Sequence, residues 1–284
     1  MKKYACIVCS NAATDYIETP YNIPVFRSVV IFGDEQYDDY TEIKSKDFYD
    51  RLENDKNAFP KTAFVSMGKM VEEFNTLKEK GFDGALVICI SSALSGLQRA
   101  VTLASSEVEN FEVHVYDSKT LGYPEAYMAL EAARMFDEGK SLEDVLKRLD
   151  FIRDHNHIIF AVDTLEYLIK NGRLSKFVGS IAQMLKIRPV LEINSDGAVN
   201  QIEKTRTSKK ARELVVDMFL KEIEGKDVTV FICNTNNDAA VEEFKSRVLE
   251  ARPDLKEIHV YPLTPVVGAH AGPGALGIGW ILNQ

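Results

Sequence analysis

The sequence has no excess of basic residues and no long apolar run, and each absence excludes a class of protein. Its 34 lysines and arginines are outnumbered by 43 aspartates and glutamates, which gives a formal net charge of -9. Nucleic-acid surfaces need clustered positive charge, so we expect no nucleic-acid partner. No stretch reaches the roughly 18 consecutive apolar residues of a membrane span. The apolar run in MKKYACIVCS stops at Ser10, too early for a secretion signal, so we expect a cytoplasmic protein.

Cysteine is scarce, and nucleotide-binding motifs are absent. The four cysteines include a C-x-x-C pair, Cys6 and Cys9, inside a predicted strand. Residues three apart on a strand are separated by about 10 Å, whereas a disulfide needs Cα atoms within about 7 Å. No second Cys/His pair is spaced to complete a zinc site, so we expect buried cysteines and no metal. There is no Walker motif and no G-x-G-x-x-G after a strand, so we expect no cofactor.

Short β-branched runs alternate with helical patterns along the chain. The predicted strands are YACIVCS, GALVICI, FEVHVYD, IIFAVD, PVLEIN, VTVFIC and EIHVYPL. This alternation predicts an α/β protein with largely parallel sheets and helical crossovers. After about residue 155, LEINSDGAVNQIEKTR predicts a hairpin with an Asp-Gly turn, which indicates a mixed sheet. We therefore predict two domains, residues 1–155 and 156–284, with the boundary within 153–158.

The segment ICISSALSGLQRA, residues 88–100, is the first candidate binding site. A buried strand leads into Ser91, Ser92, Ser95 and Gly96, after which a helix is predicted. Ligands of open α/β sheets bind beyond the carboxyl ends of strands, and free N–H groups at a helix start favour an anion. The segment therefore predicts a site for a phosphate or a carboxylate, although serine is also a common helix N-cap.

Two further positions are ambiguous from the sequence. Thr62 follows Pro60 in a predicted loop, where it contacts a ligand or caps a turn. In DTLEYLIKNGRLS, residues 163–175, Asn171-Gly172 ends a short helix and leaves Arg173 on a tight, exposed corner. An arginine there suits a partner or a phosphate, and it is equally well explained as a surface cation near a helix C-terminus.

The C-terminal segment GAHAGPGALGIGW is rich in glycine. Leu276, Ile278 and Trp280 alternate with glycines, which predicts a strand with one face free of side chains. Glycine inside a strand often marks the close approach of a ligand, so Gly272 and its neighbours are candidates for a binding surface. His270 precedes the strand in a predicted loop, where its imidazole is able to donate a hydrogen bond to an anion. A lone histidine is also commonly structural.

Five segments together resemble those of a known family. They are ISSALSG, VYDSKTLG, DTLEYLIKNGRLS, LKIRPVLEINSDG and HAGPGALGIGW, in that family's order. Over nearly its whole length the chain resembles the DegV family of bacterial fatty-acid-binding proteins, the acyl-carrying subunits of a fatty-acid kinase system. The resemblance implies a three-layer α/β/α domain with a mostly parallel sheet, followed by a smaller two-layer α/β domain with a mixed sheet.

The resemblance also implies a function. A long-chain fatty acid, about C14–C18, would lie in a buried tunnel between the domains, where each methylene contributes about 0.8 kcal/mol. The residues that the resemblance places around its carboxylate are Thr62, Ser92, His270, the neighbouring Ser91, and the loop residues Ser95 and Gly96. A partner kinase would use ATP to phosphorylate the carboxylate, and the acyl phosphate would feed phospholipid synthesis. Arg173 has the position of an arginine used in the encounter with the kinase. We therefore expect a non-catalytic subunit. Transient contact with a membrane surface is compatible with this role.

The chain departs from the family pattern at three places. Cys9-Ser10 stands where the family has Asp-Ser, and Thr62-Ala63 where it has Thr-Ser. Gly96-Leu97-Gln98 replaces the usual Gly-Thr-Tyr. These changes remove a hydroxyl and an aromatic ring near the expected carboxylate, which would alter ligand preference or the coupling to a kinase.

Two other functions remain open at this point. A hydrolase would use Ser92 or Ser95 as nucleophile and His270 as base, but the G-x-S-x-G elbow of such enzymes is absent. A carrier of another small organic anion would use the same polar residues, with the alkyl tunnel narrowed or lost. The chemical identity of the bound ligand would separate these functions.

Overall fold

The structure is a computed structural model that describes residues 2–55, 58–174 and 187–283. In the first half of the chain the strands are β1 (Tyr4–Cys9), β2 (Val25–Phe26), β3 (Val29–Phe32), β4 (Glu35–Asp38), β5 (Lys61–Ala63), β6 (Gly84–Cys89) and β7 (Glu112–Asp117). The helices of this half are α1 (Ser45–Asn54), α2 (Met67–Glu79), α3 (Leu97–Ser105), α4 (Tyr123–Asp137) and α5 (Leu142–Asp154).

The second half of the chain contains the remaining described elements. Its strands are β8 (Asn156–Ala161), β9 (Arg188–Ile193), β10 (Val199–Thr205), β11 (Val228–Asn234), β12 (Ile258–Pro262) and β13 (Leu276–Leu282). Its helices are α6 (Glu166–Lys170), α7 (Ser208–Glu222), α8 (Asp238–Ala251) and α9 (Pro265–Ala271). Within the described ranges, none of the helices combines the length and the apolarity needed to cross a membrane.

A four-stranded parallel sheet forms the centre of the first half, with the order β2-β1-β6-β7. Side chains alternate across it: Ile7 and Cys9 pack in the core formed with α2 and α3, and Cys6 and Val8 in the core formed with α4 and α5. Burial on both faces explains why β1 is a continuous apolar run in the sequence. The predicted three-layer arrangement and the buried cysteines are confirmed.

The second half contains a six-stranded sheet with the order β10-β9-β8-β13-β11-β12. Among the described strands, β11 and β12 are the one parallel pair of this sheet, and the other neighbours are antiparallel. Helices α7 and α8 cover one face, where Ile232 and Ile278 pack with Val215 and Phe244. This is the predicted two-layer arrangement with a mixed sheet. All six strands follow the predicted division at residue 155, although the division itself stays a prediction.

The opposite face of the six-stranded sheet, called here the open face, packs against the first half of the chain. Ile158 and Phe231 on this face belong to the same core as Leu86 and Met128 of the first half. Helix α9 lies in this interface, where it packs against α1, β3, β5 and α6. The two halves therefore share one hydrophobic core.

A small antiparallel sheet with the order β4-β3-β5 corrects the expected position of Thr62. The β3–β4 hairpin turns at Gly33-Asp34. Thr62 lies in β5 opposite Val30 of β3, so its prediction as a loop residue is wrong. With three residues, β5 is too short to show the alternation that identifies a strand, and it forms because β3 offers a free edge for pairing.

Helix α9 is the second correction, because His270 lies in its last turn and not in a loop. Pro265 is in the first turn, where proline is favoured. The helix ends at Gly272, whose φ of 75° lies in the left-handed region. Glycine has a poor helix propensity, which hides the helix in the sequence, but Gly268 permits the close approach of Tyr49. Tertiary packing thus stabilises a helix that local propensity disfavours.

The predicted glycine face of β13 is present, but its two glycines make room for different groups. A Cβ on Gly277 would lie 2.9 Å from both Cys233 Sγ and Phe160 Cβ. A Cβ on Gly279 would overlap with the ring of Phe231 and with a backbone carbonyl of β8. The space over Gly279 is therefore filled by the protein itself, whereas Gly277 lies along the cavity described below.

We predict that Gly279→Ala destabilises the protein by about 1–3 kcal/mol, because the added methyl group overpacks the core beside Phe231. Gly68→Ala in α2 is the matched control, since a Cβ at Gly68 meets no atom within 4 Å. Alanine there should be neutral or stabilise the protein by about 0.5 kcal/mol. Urea denaturation measures the free energy of unfolding of each variant. Equal stabilities of the two variants would contradict the close approach at Gly279.

Candidate functional site

A cavity of about 400 Å³ lies between the open face of the six-stranded sheet and the first half of the chain. Ligand pockets typically measure about 300–1,000 Å³ and are mostly apolar. The apolar residues in its wall include Ile90, Leu94, Leu121, Ile158, Phe160, Leu168, Ile193, Val199, Leu263, Val266 and Val267. Because these residues come from both halves, the cavity exists only in the assembled fold.

The sheet contributes a row of residues that crosses all of its strands. In sheet order, the row is Val199, Ile193, Phe160, Gly277, Cys233 and Tyr261. The last four are paired neighbours, with Phe160 opposite Gly277, Gly277 opposite Cys233, and Cys233 opposite Tyr261. Adjacent strands lie about 4.8 Å apart, so six strands span about 24 Å. Ile193 is opposite Ile158, which also lines the cavity, so every strand of the sheet contributes an uncharged residue to this side of the cavity.

Polar groups gather where β5, α9 and the serine-rich segment meet. His270 Nε2 lies 2.9 Å from Thr62 Oγ1. Arg173 donates from Nε to the carbonyl oxygen of Leu94 at 3.1 Å, and Leu94 directly precedes Ser95. Thr62, Ser95, Arg173 and His270 all line the cavity. Two hydroxyls, one imidazole and one guanidinium thus form its polar end.

The residues at the end of α6 fix the position of this polar end. Asn171 Nδ2 donates to the carbonyl oxygen of Ala269 in α9 at 2.9 Å and lies 3.5 Å from that of Pro60 before β5. Arg173 Nη1 donates to the carbonyl oxygen of Asn171 at 2.5 Å. Through these bonds the end of α6 connects α9, β5 and the serine-rich segment.

His270 is neutral near pH 7. Burial, followed by repulsion from the Arg173 guanidinium, lowers the pKa of the imidazole to about 4. Among the residues that the structure describes, nothing hydrogen-bonds to the buried Nδ1 of His270. A buried polar atom without a partner is uncommon in a protein core. A neutral ring with one unused nitrogen is therefore available to a ligand.

Four of the seven ligand-binding residues predicted from the sequence lie in the cavity wall: Thr62, Ser95, Gly96 and His270. The Oγ of Ser95 accepts the backbone N–H of Leu97 at 3.2 Å, which keeps the hydroxyl at the start of α3. The contribution of these residues to ligand binding stays a prediction, but the structure brings them together.

The other three, Ser91, Ser92 and Gly272, do not line the cavity. Ser92 is exposed, and its hydroxyl donates to Asp117 Oδ2 at 2.6 Å. Ser91 is fully buried against the β9–β10 turn, and Gly272 ends α9 against the ring of Tyr167. The structure thus places Ser92 outside the wall that Thr62, Ser95 and His270 share, and its predicted part in ligand binding stays a prediction. The sequence cannot distinguish these serines, because the turn after β6 decides where each hydroxyl points.

Arg173 is half-buried, so its expected position on an exposed corner is also corrected. Gly172, with φ of 70°, turns the chain after α6 so that Arg173 lines the cavity. The role of Arg173 in meeting a partner stays a prediction. Ser175, which ends the sequence motif around Arg173, lies outside the described residues.

The structure does not bring Ser92, one of the two nucleophiles of the hydrolase hypothesis, to His270, whereas Ser95, the other, lines the cavity together with His270. Ser92 is bonded to Asp117, whereas His270 lies against Thr62. In residues 2–55, 58–174 and 187–283, no group of three or more His, Cys, Asp and Glu side chains could hold a metal ion.

Comparison with known proteins identifies the family. A family model described as an uncharacterised protein of the DegV family matches residues 10–283. The chain belongs to the DegV family. A DegV domain-containing protein of Clostridium perfringens is 30% identical over 282 residues, which cover 98% of each chain.

Two solved DegV structures share the fold over the whole chain. The crystal structure of DegV from Bacillus subtilis, described as a fatty acid binding protein, has a TM-score of 0.85 at 27% identity and covers 100% of both chains. A DegV family protein from Thermus thermophilus, described for its fatty acid binding, has a TM-score of 0.87 at 26% identity, covering 99% of this chain and 100% of that one.

Two polar residues of this DegV protein's cavity were missed from the sequence. Asn11 and Ser28 line the cavity and are 4% and 7% exposed. Asn11 Nδ2 donates to the buried carboxyl of Glu125, and burial raises the pKa of that carboxyl well above its usual range. Asn11 follows the carboxyl end of β1, so the rule that selected the serines after β6 also applies to it. Ser28 carries no comparable signal.

The departures from the DegV pattern make the cavity more apolar. Ala63 and Leu97 both line it, and Leu97 is almost fully buried. Cys9 is buried in the sheet, where its Sγ lies 3.6 Å from the carbonyl oxygen of Ile88. The hydroxyls of Thr62 and Ser95 are retained at the polar end.

We predict that His270 titrates with a midpoint of about 4 in the folded protein, which NMR of the imidazole measures. An unfolded histidine has a pKa of about 6.5, so between these values the unfolded chain binds a proton that the folded protein does not. The contribution of neutral His270 to stability is therefore complete above pH 6.5 and is lost as the pH falls towards 4. His270→Gln, whose side chain cannot titrate, should not lose this stability as the pH falls. Identical dependence of the free energy of unfolding on pH in the two proteins would contradict the buried neutral ring.

Proposed function

We propose that this protein binds a long-chain fatty acid in the cavity between its two halves. The acid would be presented to a partner kinase that uses ATP to phosphorylate the carboxylate, and the resulting acyl phosphate would feed phospholipid synthesis. The proposal gives this chain a binding role, and the phosphoryl transfer belongs to the partner. The observation that carries it is a mostly apolar cavity, lined by residues of all six strands of the sheet, in which Thr62, Ser95, Arg173 and His270 lie together.

The apolar wall supports an alkyl ligand. Burying each methylene contributes about 0.8 kcal/mol, so a long chain supplies most of the binding free energy. The row of residues across six strands has no charged side chain, and Gly277 at its centre has no side chain at all. The solved DegV structures of Bacillus subtilis and Thermus thermophilus are both described as fatty acid binding, which agrees with this ligand class.

The polar end supports an anion. Arg173 donates to the carbonyl oxygens of Leu94 and Asn171, and within the described part of the chain it forms no ion pair with an acidic side chain. A half-buried cation without an acidic partner favours a negatively charged ligand. Thr62 and Ser95 add hydroxyl donors, and neutral His270 is able to donate from one ring nitrogen. These groups offset the loss of hydration that a carboxylate suffers on entering the cavity.

The polar end lies close to the protein surface, which supports presentation to a partner. Phe64 lines the cavity and is nevertheless 45% exposed. Gly96 is also exposed, and it lies beside Phe64 at the start of α3. Met67, three residues after Phe64, is 45% exposed as well. An apolar rim of this kind is typical of a surface that another protein covers.

We predict that protein purified from bacteria carries fatty acids detectable by denaturing mass spectrometry, and that Thr62→Val weakens palmitate binding by about ten- to a hundredfold. A hydrogen bond to a charged group contributes about 1.5–3 kcal/mol, which corresponds to this range. Ser92→Ala is the matched control and should bind palmitate as wild type does, because its hydroxyl is bonded to Asp117. Isothermal calorimetry of delipidated protein gives the affinities. A lipid-free preparation that takes up no added palmitate would refute the proposal.

We predict that Arg173→Gln lowers palmitate affinity about tenfold, because a hydrogen bond or ion pair to the carboxylate is lost. Lys170→Gln is the control: it removes the same charge from the end of α6, but Lys170 pairs with Glu166 at the surface. Phosphorylation by the partner kinase is then measured at saturating palmitate. If the Arg173→Gln variant is still phosphorylated more slowly than wild type when palmitate is saturating, Arg173 also contacts the kinase. Unchanged affinity of Arg173→Gln would contradict its assignment to the carboxylate.

A further inference from the structure

Tyr261 separates the cavity from a groove on the protein surface. Among the described residues, Tyr261 is the residue that lines both spaces. The groove lies between α1 and the segment after β11, and exposed residues such as Lys46 and Asn236 line it. Tyr261 itself is 4% exposed, so its ring is a buried partition between an apolar interior and solvent.

Tyr261 and the polar end of the cavity lie at opposite ends of α9. It is close to the end of β12, from which the chain passes through Leu263 into the first turn of α9. His270 is in the last turn of α9, and a helix of seven residues is about 10 Å long. Leu263, Val266 and Val267 line the cavity along this path. A chain whose carboxylate lies at His270 is thus able to extend beside α9 until it meets the ring of Tyr261.

The ring of Tyr261 is held in place from several sides. Its hydroxyl accepts the backbone N–H of Tyr123 at 2.8 Å, and the two rings stack with centroids 5.4 Å apart. Gly122, with φ of 66°, brings the backbone so close that a Cβ there would lie 3.1 Å from the Tyr261 hydroxyl. Cys233 is its register neighbour on β11. These contacts make the ring a fixed wall.

We infer that Tyr261 sets the upper limit on the length of the acyl chain that the cavity accepts. The inference rests on the proposed fatty-acid function. While a chain still fits, each added methylene increases affinity roughly fourfold, which corresponds to about 0.8 kcal/mol. Once the acyl chain reaches the ring, a further methylene cannot be buried, and the affinity no longer increases with chain length. Removing the ring would join the cavity to the groove and let longer chains pass.

The experiment compares wild type, Tyr261→Leu and Tyr261→Phe after delipidation. Affinities are measured by calorimetry for myristic, palmitic, stearic, arachidic and behenic acids. Tyr261→Phe keeps the ring and loses only the hydroxyl, so its preferred length should match wild type. In Tyr261→Leu the limit should move to longer chains by at least two carbons. The ratio of arachidic to palmitic affinity should then rise at least tenfold over wild type, as two methylenes at roughly fourfold each imply.

The outcomes separate this inference from the function on which it rests. If all three proteins bind fatty acids with the same length profile, Tyr261 is not the limit, and the proposed function stands. If wild type binds none of the acids, the proposed function fails, and the inference fails with it. Tyr261→Met, which retains apolar volume without a ring, replaces the leucine variant if that variant does not fold, and the same shift is then required of it.

Discussion

The open face of the six-stranded sheet carries apolar side chains that α7 and α8, on the other face, do not cover. A large apolar surface is unfavourable in water, so this face has to be buried by other parts of the chain. The first half and α9 provide that cover, which joins the two halves in one core. The cavity is the part of the face where the cover is incomplete. An apolar ligand would complete the burial, so the same requirement that joins the halves also determines which ligand fits between them.

The polar end of the cavity depends on how charge is placed in a poorly solvated site. Burial and the neighbouring Arg173 keep His270 neutral, so the site holds one positive charge instead of two. A singly charged carboxylate balances that charge, whereas a second cation in the same small space would be repelled. The bonds from Asn171 and Arg173 to backbone carbonyls position these groups without using an acidic side chain. The anion preference that we propose for the site therefore follows from a cation that the protein leaves without an acidic partner in its described part.

Much of the fold is predictable from the sequence because its elements have strong local signals. β1 and β6 are apolar runs buried on both faces, and the Asp-Gly turn marks the β9–β10 hairpin. The two errors concern short elements. β5 has three residues and depends on pairing with β3, and α9 contains glycines and depends on packing against α1 and α6. Neither element has enough local preference to be identified before its tertiary neighbours are known.

By itself, the sequence determined the family, the α/β alternation and the residue types available for an anion site, since these follow from periodicity and motif order. Only the tertiary structure decided which residues meet. It turned Ser92 towards Asp117, placed Ser95 in the cavity wall, moved Arg173 inwards, and added Asn11 and Ser28. The reason is that packing between elements sets the direction of a side chain after a turn. Packing also brings together residues that are distant in the sequence, such as Thr62 and His270, which are 208 positions apart. No local pattern encodes that geometry.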